Sequence, residues 1–344
     1  MRRPLDSFGS RVLEVSTPRF SLVLPCLSPP ETLGTTLDGI AAQDFDLRAV
    51  QVIVIDDASD PPLAPTVSEF NDEANAEVVY LRNHVNQGRA AARNAGLAVA
   101  RGEILVFMDV DQLLDPEFLS TMDRAFGANL DQSIRANTSV WDPLLPRSAF
   151  LRYYNSRFLG NRTADELSHI DLNDLPPKYY ATTCMATGRE AVLRVGGFDE
   201  TFRRYGCEDE ELGVRLSNAG VPLRLEMEAR SYSTDDSLTV TRACKRLVDY
   251  AGFSVPHLLK KHPEYREQLA LGFLEESAGT RSLPKRTVAW LLRGLYRPRF
   301  VIPLLRYLER KDSFPRFQPP HRLYQIAFLG FYLEGIRSRR KVNG

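Results

Sequence analysis

Cysteine is scarce, with four in 344 residues at Cys26, Cys184, Cys207 and Cys244. Their wide spacing forms no C-x-x-C pair, which argues against a zinc ribbon or a disulfide framework and fits a reducing compartment. No run reaches the roughly 18 uninterrupted apolar residues of a spanning helix. Residues 1–19 carry charges but no apolar stretch ahead of a small-residue cleavage site. The expectation is a cytoplasmic chain, neither exported nor membrane-spanning. Internal repeats and low-complexity tracts are also missing. An apolar content of 43% with 26% charged residues places the chain with folded proteins, large enough for one big domain and an appendage or for two modest domains. Net charge is zero, yet from Arg281 onward there are 15 basic and 3 acidic residues, which leaves +12 there and −12 in the 280 residues before it. An acidic body joined to a basic segment points to an anionic neighbour, a membrane surface or a nucleic acid.

Short apolar, β-branched runs supply the architecture. FSLVL at residues 20–24 reads as a buried strand stopped by Pro25, and VQVIVI at residues 50–55 as a second. Between them Leu33, Leu37, Ile40 and Ala41 recur at helical spacing, so the unit is strand, helix, strand with parallel pairing. Residues 78–81 and 104–108 give two more strands, separated by an Ala-rich helix over 89–100 that Gly102 closes. A further helix is expected over 115–126, with Asp115 as its N-cap, Pro116 at its first position and Gly127 after its end. Periodicity is weak from Asn129 to Thr183, which reads as extended, substrate-facing structure. Beyond residue 241 helical spacing is broken repeatedly by proline into several short helices.

Ligands of open α/β sheets bind beyond the carboxyl ends of strands, so polar residues placed there are the first candidates. Asp56 and Asp57 directly follow one strand, and Asp109-x-Asp111 directly follows another. Such carboxylates can hold a nucleoside sugar and a divalent cation on a diphosphate, or simply cap the next turn. In the segment NQGRAAARNAG, small residues allow close helix packing while Arg93 can fork onto a diphosphate. Further on, GGFDE precedes YGCEDEEL, and Leu212, Leu216 and Ala219 continue at helical spacing, so Glu208 and Asp209 open a helix. The helix dipole stabilises carboxylates there whatever their role, and it also keeps a base ionised.

Over about residues 20–236 the ordered set VLP, VIDDAS, N-x-G-x-x-x-A-R-N-x-G, the D-x-D of MDVDQ, GGFDE and G-x-E-D-x-x-L resembles glycosyltransferase family 2 and its GT-A relatives. The resemblance implies an α/β GT-A fold, Rossmann-like, with a doubly wound and mostly parallel sheet and a mainly helical C-terminal region. By position it implies Pro25, Asp56, Asp57, Arg93 and Asp109 around the nucleotide, Asp111 on Mn²⁺ or Mg²⁺, Asp209 as general base and Glu208 helping to hold the acceptor. Leu27-Ser28 stand where relatives commonly have Tyr-Asn. The stretch ARSYSTDD at residues 229–236 lacks the histidine that many relatives use as a further metal ligand.

The domains expected are an N-terminal extension over 1–17, a glycosyltransferase domain over 18–236 with nucleotide-binding (18–111) and acceptor (112–236) halves, and a basic helical region over 237–344. The activity implied is inverting transfer of a hexosyl or N-acetylhexosaminyl group from a nucleotide sugar, with UDP favoured by the resemblance. The acceptor is a hydroxyl on a saccharide, a lipid-linked or another molecule, which places the reaction in polysaccharide or glycoconjugate biosynthesis. An inactive nucleotide-sugar-binding scaffold of the same fold is the alternative. Trp141, Tyr153, Tyr154, Tyr179 and Tyr180 are open both to sugar stacking and to the core. In the tail, Leu323, Ile326, Ala327, Phe331 and residues 333–336 form an apolar face ahead of Arg337, Arg339, Arg340 and Lys341. That face either lies on the inner surface of an anionic membrane or packs against the protein or a second copy in a homo-oligomer. Nucleic acid is not expected, because the tail has no binding motif and the body is acidic.

Overall fold

The computed structural model describes residues 6–9, 17–27, 29–269, 271–274, 283–314 and 316–342. Among the described residues nine strands form one sheet in the order β1-β4-β3-β2-β5-β8-β7-β9-β6. Their ranges are β1 Asp6–Gly9, β2 Phe20–Cys26, β3 Val50–Asp56, β4 Glu77–Arg82, β5 Ile104–Met108, β6 Gln112–Leu114, β7 Ser133–Val140, β8 Cys184–Gly188 and β9 Leu223–Ser233. The sheet is mixed. β2 pairs parallel with β3 and β5, and β3 with β4, whereas the β1–β4, β5–β8, β7–β8 and β6–β9 pairs are antiparallel. β1 belongs to the expected N-terminal extension, most of which lies outside the described residues.

The continuous apolar runs are explained by burial on both faces. Leu22, Leu24, Val52, Val54, Val106 and Met108 pack on one side with helices α1 (Pro30–Ala41), α2 (Ala64–Glu73) and α4 (Phe118–Phe126). Val23, Ile53, Ile55, Leu105 and Phe107 pack on the other with helix α3 (Arg89–Val99) and the Glu208–Asn218 helix. Gly96 brings α3 against the sheet, since a Cβ there would meet Val23 Cγ1 at 2.6 Å and Ile55 Cδ1 at 2.9 Å.

Three local expectations are corrected. β2 does not stop at Pro25 but runs through it, pairing Pro25 with Ile55. Asp57 N donates to Cys26 O, so alternate residues bond toward β3, and Pro25 faces β5, whose pairing with β2 ends at Val23. The missing proline N–H therefore leaves no ladder bond unmade. Helix α4 begins at Phe118 rather than Asp115; Asp115 and Pro116 form a turn in which Phe118 N donates to Asp115 O at 2.9 Å. Residues 129–183 are not extended throughout, since after β7 they fold into short helices such as Ala149–Asn155 and 3₁₀ turns.

The chain divides into two compact units. Met1–Ser139, Phe158–Arg203 and Glu208–Thr234 form the first, which holds the sheet, and Val140–Arg157, Arg204–Cys207 and Asp235–Gly344 form the second. Within the second unit Tyr153 stacks on Tyr324 with centroids 4.5 Å apart, and Phe150 meets Tyr324 and Phe328. Tyr324, Ala327, Leu333 and Ile336 are buried there, on the long His321–Val342 helix. Arg337 donates to Glu334 and to Tyr296 O. Packing within its own unit thus accounts for the tail's apolar face, and a membrane is not what covers it. Of the cations that follow, the side chains of Arg340 and Lys341 lie outside the described residues. No described helix is long and apolar enough to cross a membrane.

Candidate active site

The carboxyl ends of β2, β3 and β5 open at one edge of the first unit, and the expected site residues gather there in two groups. Asp56 ends β3 fully buried. Its Oδ1 accepts from Ser59 N at 2.7 Å, its Oδ2 from Leu63 N at 3.1 Å and Tyr80 O–H at 2.7 Å, and Arg82 pairs with it. Burial alone would raise its pKa, but the hydrogen bonds from Ser59, Tyr80 and Leu63 together hold it below the ordinary carboxylate value. Burial, then the bond to Asp56, pushes the Tyr80 hydroxyl up to about 12. Asp57 accepts from Asn83 Nδ2 and Gln87 N at 2.8 Å through Oδ1, and from Gly88 N at 2.9 Å through Oδ2. The aspartate pair thus braces the loops after β3 and β4. Pro25 stands half-buried at the neighbouring strand end, whereas Ser28 lies outside the described residues.

The second group centres on Arg93, which is only 2% exposed. One guanidinium nitrogen donates to Asp109 Oδ1 and another to Glu208 Oε1, each at 3.1 Å, and Phe198 lies beneath with its ring centroid 5.5 Å away. Arg93 Nε and Glu208 Oε2 are buried with no hydrogen-bond partner among the described residues. Asp109, at the end of β5, remains about one-third exposed. Asp209 adjoins Glu208 and accepts from Glu210 N at 2.9 Å and Thr182 N at 3.4 Å. Its carboxyl is pushed up to about 6, first by burial and then by the charge of Glu208, while Arg93 and the two backbone N–H groups pull it back. Asp111 is partly exposed, and its backbone oxygen accepts both the N–H and the hydroxyl of Thr234, at 2.8 and 3.1 Å. The histidine-free stretch at the end of β9 therefore does lie beside Asp111.

Sequence reasoning missed two supports. Thr182 and Thr183 link the acids, since Thr183 O accepts from Asp109 N at 3.0 Å while Thr182 N reaches Asp209. Asn94 exchanges two bonds of 2.8 Å with the backbone of Phe198, which fixes the GGFDE loop under Arg93. Gly196 and Gly197 allow that loop's positive φ angles of 84° and 71°. The Asn directly after Arg93 in the N-x-G-x-x-x-A-R-N-x-G motif is the signal the sequence carries for it. Of the aromatic candidates, Tyr153 and Tyr180 are core residues, and Tyr180 O–H bonds Thr187 at 2.9 Å.

A parallel α/β half with acidic strand ends, extended by antiparallel strands and an acid-led helix, defines a GT-A fold. Solved structures agree over nearly the whole chain. The mannosyltransferase PcManGT from Pyrobaculum calidifontis, in complex with GDP-Man and Mn²⁺, is similar at a TM-score of 0.58 and 18% identity, covering 99% of this chain and 92% of that one. S. aureus TarS 1–349 in complex with UDP gives 0.52 at 15% identity over 94% and 92%. The sequence matches Glycosyl transferase family 2 over residues 21–193, and the chain belongs to that family. Residues 166–241 also match the N-terminal domain of galactosyltransferase. Among named relatives, the validoxylamine A glucosyltransferase of Streptomyces hygroscopicus subsp. jinggangensis is 23% identical over 73% of this chain and 63% of its own length. The pre-mycofactocin glycosyltransferase of Mycobacterium tuberculosis is 29% identical over 65% and 46%. The chain thus spans about half to two-thirds of the length of these relatives.

Proposed function

We propose that the chain transfers a glycosyl group from a nucleoside diphosphate sugar, UDP-linked in the first instance, to an acceptor hydroxyl with inversion at the anomeric carbon. The observation that carries this reading is the bridge from Asp109 through Arg93 to Glu208, which brings a strand-end acid and the acid-led helix onto one guanidinium. Glycosyltransferase names among the relatives, and nucleotide ligands in solved neighbours, support it. Asp209 takes the acceptor proton, the acceptor oxygen forms the new bond to the anomeric carbon, and the bond from that carbon to the diphosphate oxygen breaks on the opposite face. Arg93 stabilises charge gathering on the leaving diphosphate. Asp56 and Asp57 shape the loops beside the nucleotide, with Pro25 at the adjoining strand end.

Asp109 and Asp111 bring carboxylates to the exposed edge, and no group of three His, Cys, Asp or Glu residues closes a metal cage among the described residues. Asp111, with Asp109 beside it, would hold Mn²⁺ or Mg²⁺, and the cation would neutralise charge on the diphosphate. The deciding experiment compares nucleotide release and donor affinity in the wild type and Asp209→Asn over a panel of donor sugars. Transfer is expected to fall by roughly 10² or more, the usual weight of a general base, with donor affinity nearly unchanged. A variant that keeps most of its turnover, or that loses donor binding while folded, overturns the assignment.

A further inference from the structure

The second unit carries an open apolar surface that the packed tail does not explain. On the Leu283–Leu295 helix Val288, Leu291 and Leu295 are 45%, 45% and 64% exposed, and Trp290 is 73% exposed. At about 100° per residue, Val288, Leu291 and Leu295 share one face. The Pro298–Lys311 helix has two apolar faces. Val301, Leu305 and Leu308 are buried, whereas Phe300 and Tyr307 are 56% and 48% exposed on the other side. Phe314 adds a further ring at 54% exposure. Arg299, Arg306 and Arg310, all exposed, run down the same helix alongside the Phe300–Tyr307 stripe, and Arg299 lies over the Phe300 ring at 4.7 Å. Residues 283–317 contain nine Lys and Arg against two acids, Glu309 and Asp312. Asp312 is turned inward, accepting from Ser148 Oγ at 2.6 Å and Phe150 N at 2.7 Å.

We propose that this surface docks on an anionic lipid bilayer. On both helices exposed apolar side chains stand beside basic ones, which matches an interface with acyl chains below and negative headgroups around it. A phosphate backbone gives the cations partners but leaves the leucines and phenylalanines in water, so nucleic acid fits only half the surface. The proposal is independent of the transfer reaction, because its readout is binding. It also relocates the membrane contact from the far end of the tail to the Leu283–Lys311 helices.

The test uses the full-length protein with vesicles of phosphatidylcholine alone and of phosphatidylcholine containing phosphatidylglycerol. Sedimentation with the anionic vesicles only, lost as salt rises, is expected. Leu295→Asp combined with Phe300→Asp, and separately Arg299→Ala with Arg306→Ala and Arg310→Ala, should each weaken binding by roughly tenfold or more at an unchanged melting temperature. The proposal is overturned by absence of anionic-vesicle binding at low salt, or by wild-type binding in both variants. It is equally overturned by a lipid-free dimer that the Leu295→Asp, Phe300→Asp protein no longer forms, since a second copy then covers the stripe.

Discussion

Asp209 separates function from stability within one side chain. With its carboxyl pushed up to about 6 from an ordinary 3.8, ionisation in the folded state works against folding. The stabilisation is complete below the unfolded value and is lost as pH rises through about 6, leaving a cost on the order of 3 kcal/mol above it. Asp209→Asn should therefore unfold at higher denaturant than the wild type at pH 8, by that amount, and the difference should shrink to under about 1 kcal/mol at pH 4. Urea melts at the two pH values check this. In the wild type, kcat/KM should climb with pH through the region of 6 as the base ionises. Asp57 and Asp111 should part in a different way. Asp57→Ala strips three donors of their acceptor and should cost about 1–3 kcal/mol, whereas Asp111→Ala should lower Mn²⁺-dependent UDP affinity, read by calorimetry. The residue types at these positions were legible from their place after apolar strands. Their bonding was legible only in part: Asp56 caps the next turn through Ser59 N, as an aspartate there can, whereas Tyr80 reaches it from 24 positions away on β4, and nothing in the local sequence marks that partner.

Elements were legible where burial on both faces wrote continuous apolar runs, as in β2, β3 and β5. They were less so where tertiary pairing set the ends. Pro25 looked like a stop, yet it falls where β5 no longer pairs. Asp115 does cap the turn, accepting from Glu117 N at 3.3 Å, but it also receives Tyr232 O–H at 3.2 Å and the helix itself starts later, at Phe118. The antiparallel strands β7 and β8 escaped notice for the same reason, since SIRANTSV alternates only weakly in hydrophobicity and closes on β8 from far away. Two glycines give a sharp test of packing at this scale. A Cβ on Gly102 would lie 2.4 Å from Ser21 N, a backbone atom that cannot swing aside, so Gly102→Ala should cost about 1–3 kcal/mol. Gly34, inside α1, has nothing within 4 Å of such a Cβ. Gly34→Ala should instead stabilise by about 0.5–1 kcal/mol, since alanine is the better helix former and the unfolded chain loses freedom. Opposite signs from the same chemical change, read from urea midpoints, are the expected result.

For the molecule as a whole, the charge split and the helical end were visible in composition, whereas the membership of the two units was not. Chain order sets a boundary after residue 236. Instead the second unit also draws on 140–157 and 204–207, and the chain passes between the units five times. The cause is packing, because Phe150 and Tyr153 meet Tyr324 and Phe328, about 170 positions further on. This weave bears on the order of events during synthesis. A chain emerging from the ribosome reaches residue 157 with an aromatic cluster half made, and must hold it open until the His321–Val342 helix appears. Release of a fragment ending at Asp236 should thus yield protein that binds a hydrophobic dye and aggregates, and supplying residues 237–344 as a second polypeptide should rescue it. A stable, dye-silent 1–236 fragment would show that the early segments need no late partner. Otherwise a helix made long after residue 157 is what lets the middle of the chain finish folding.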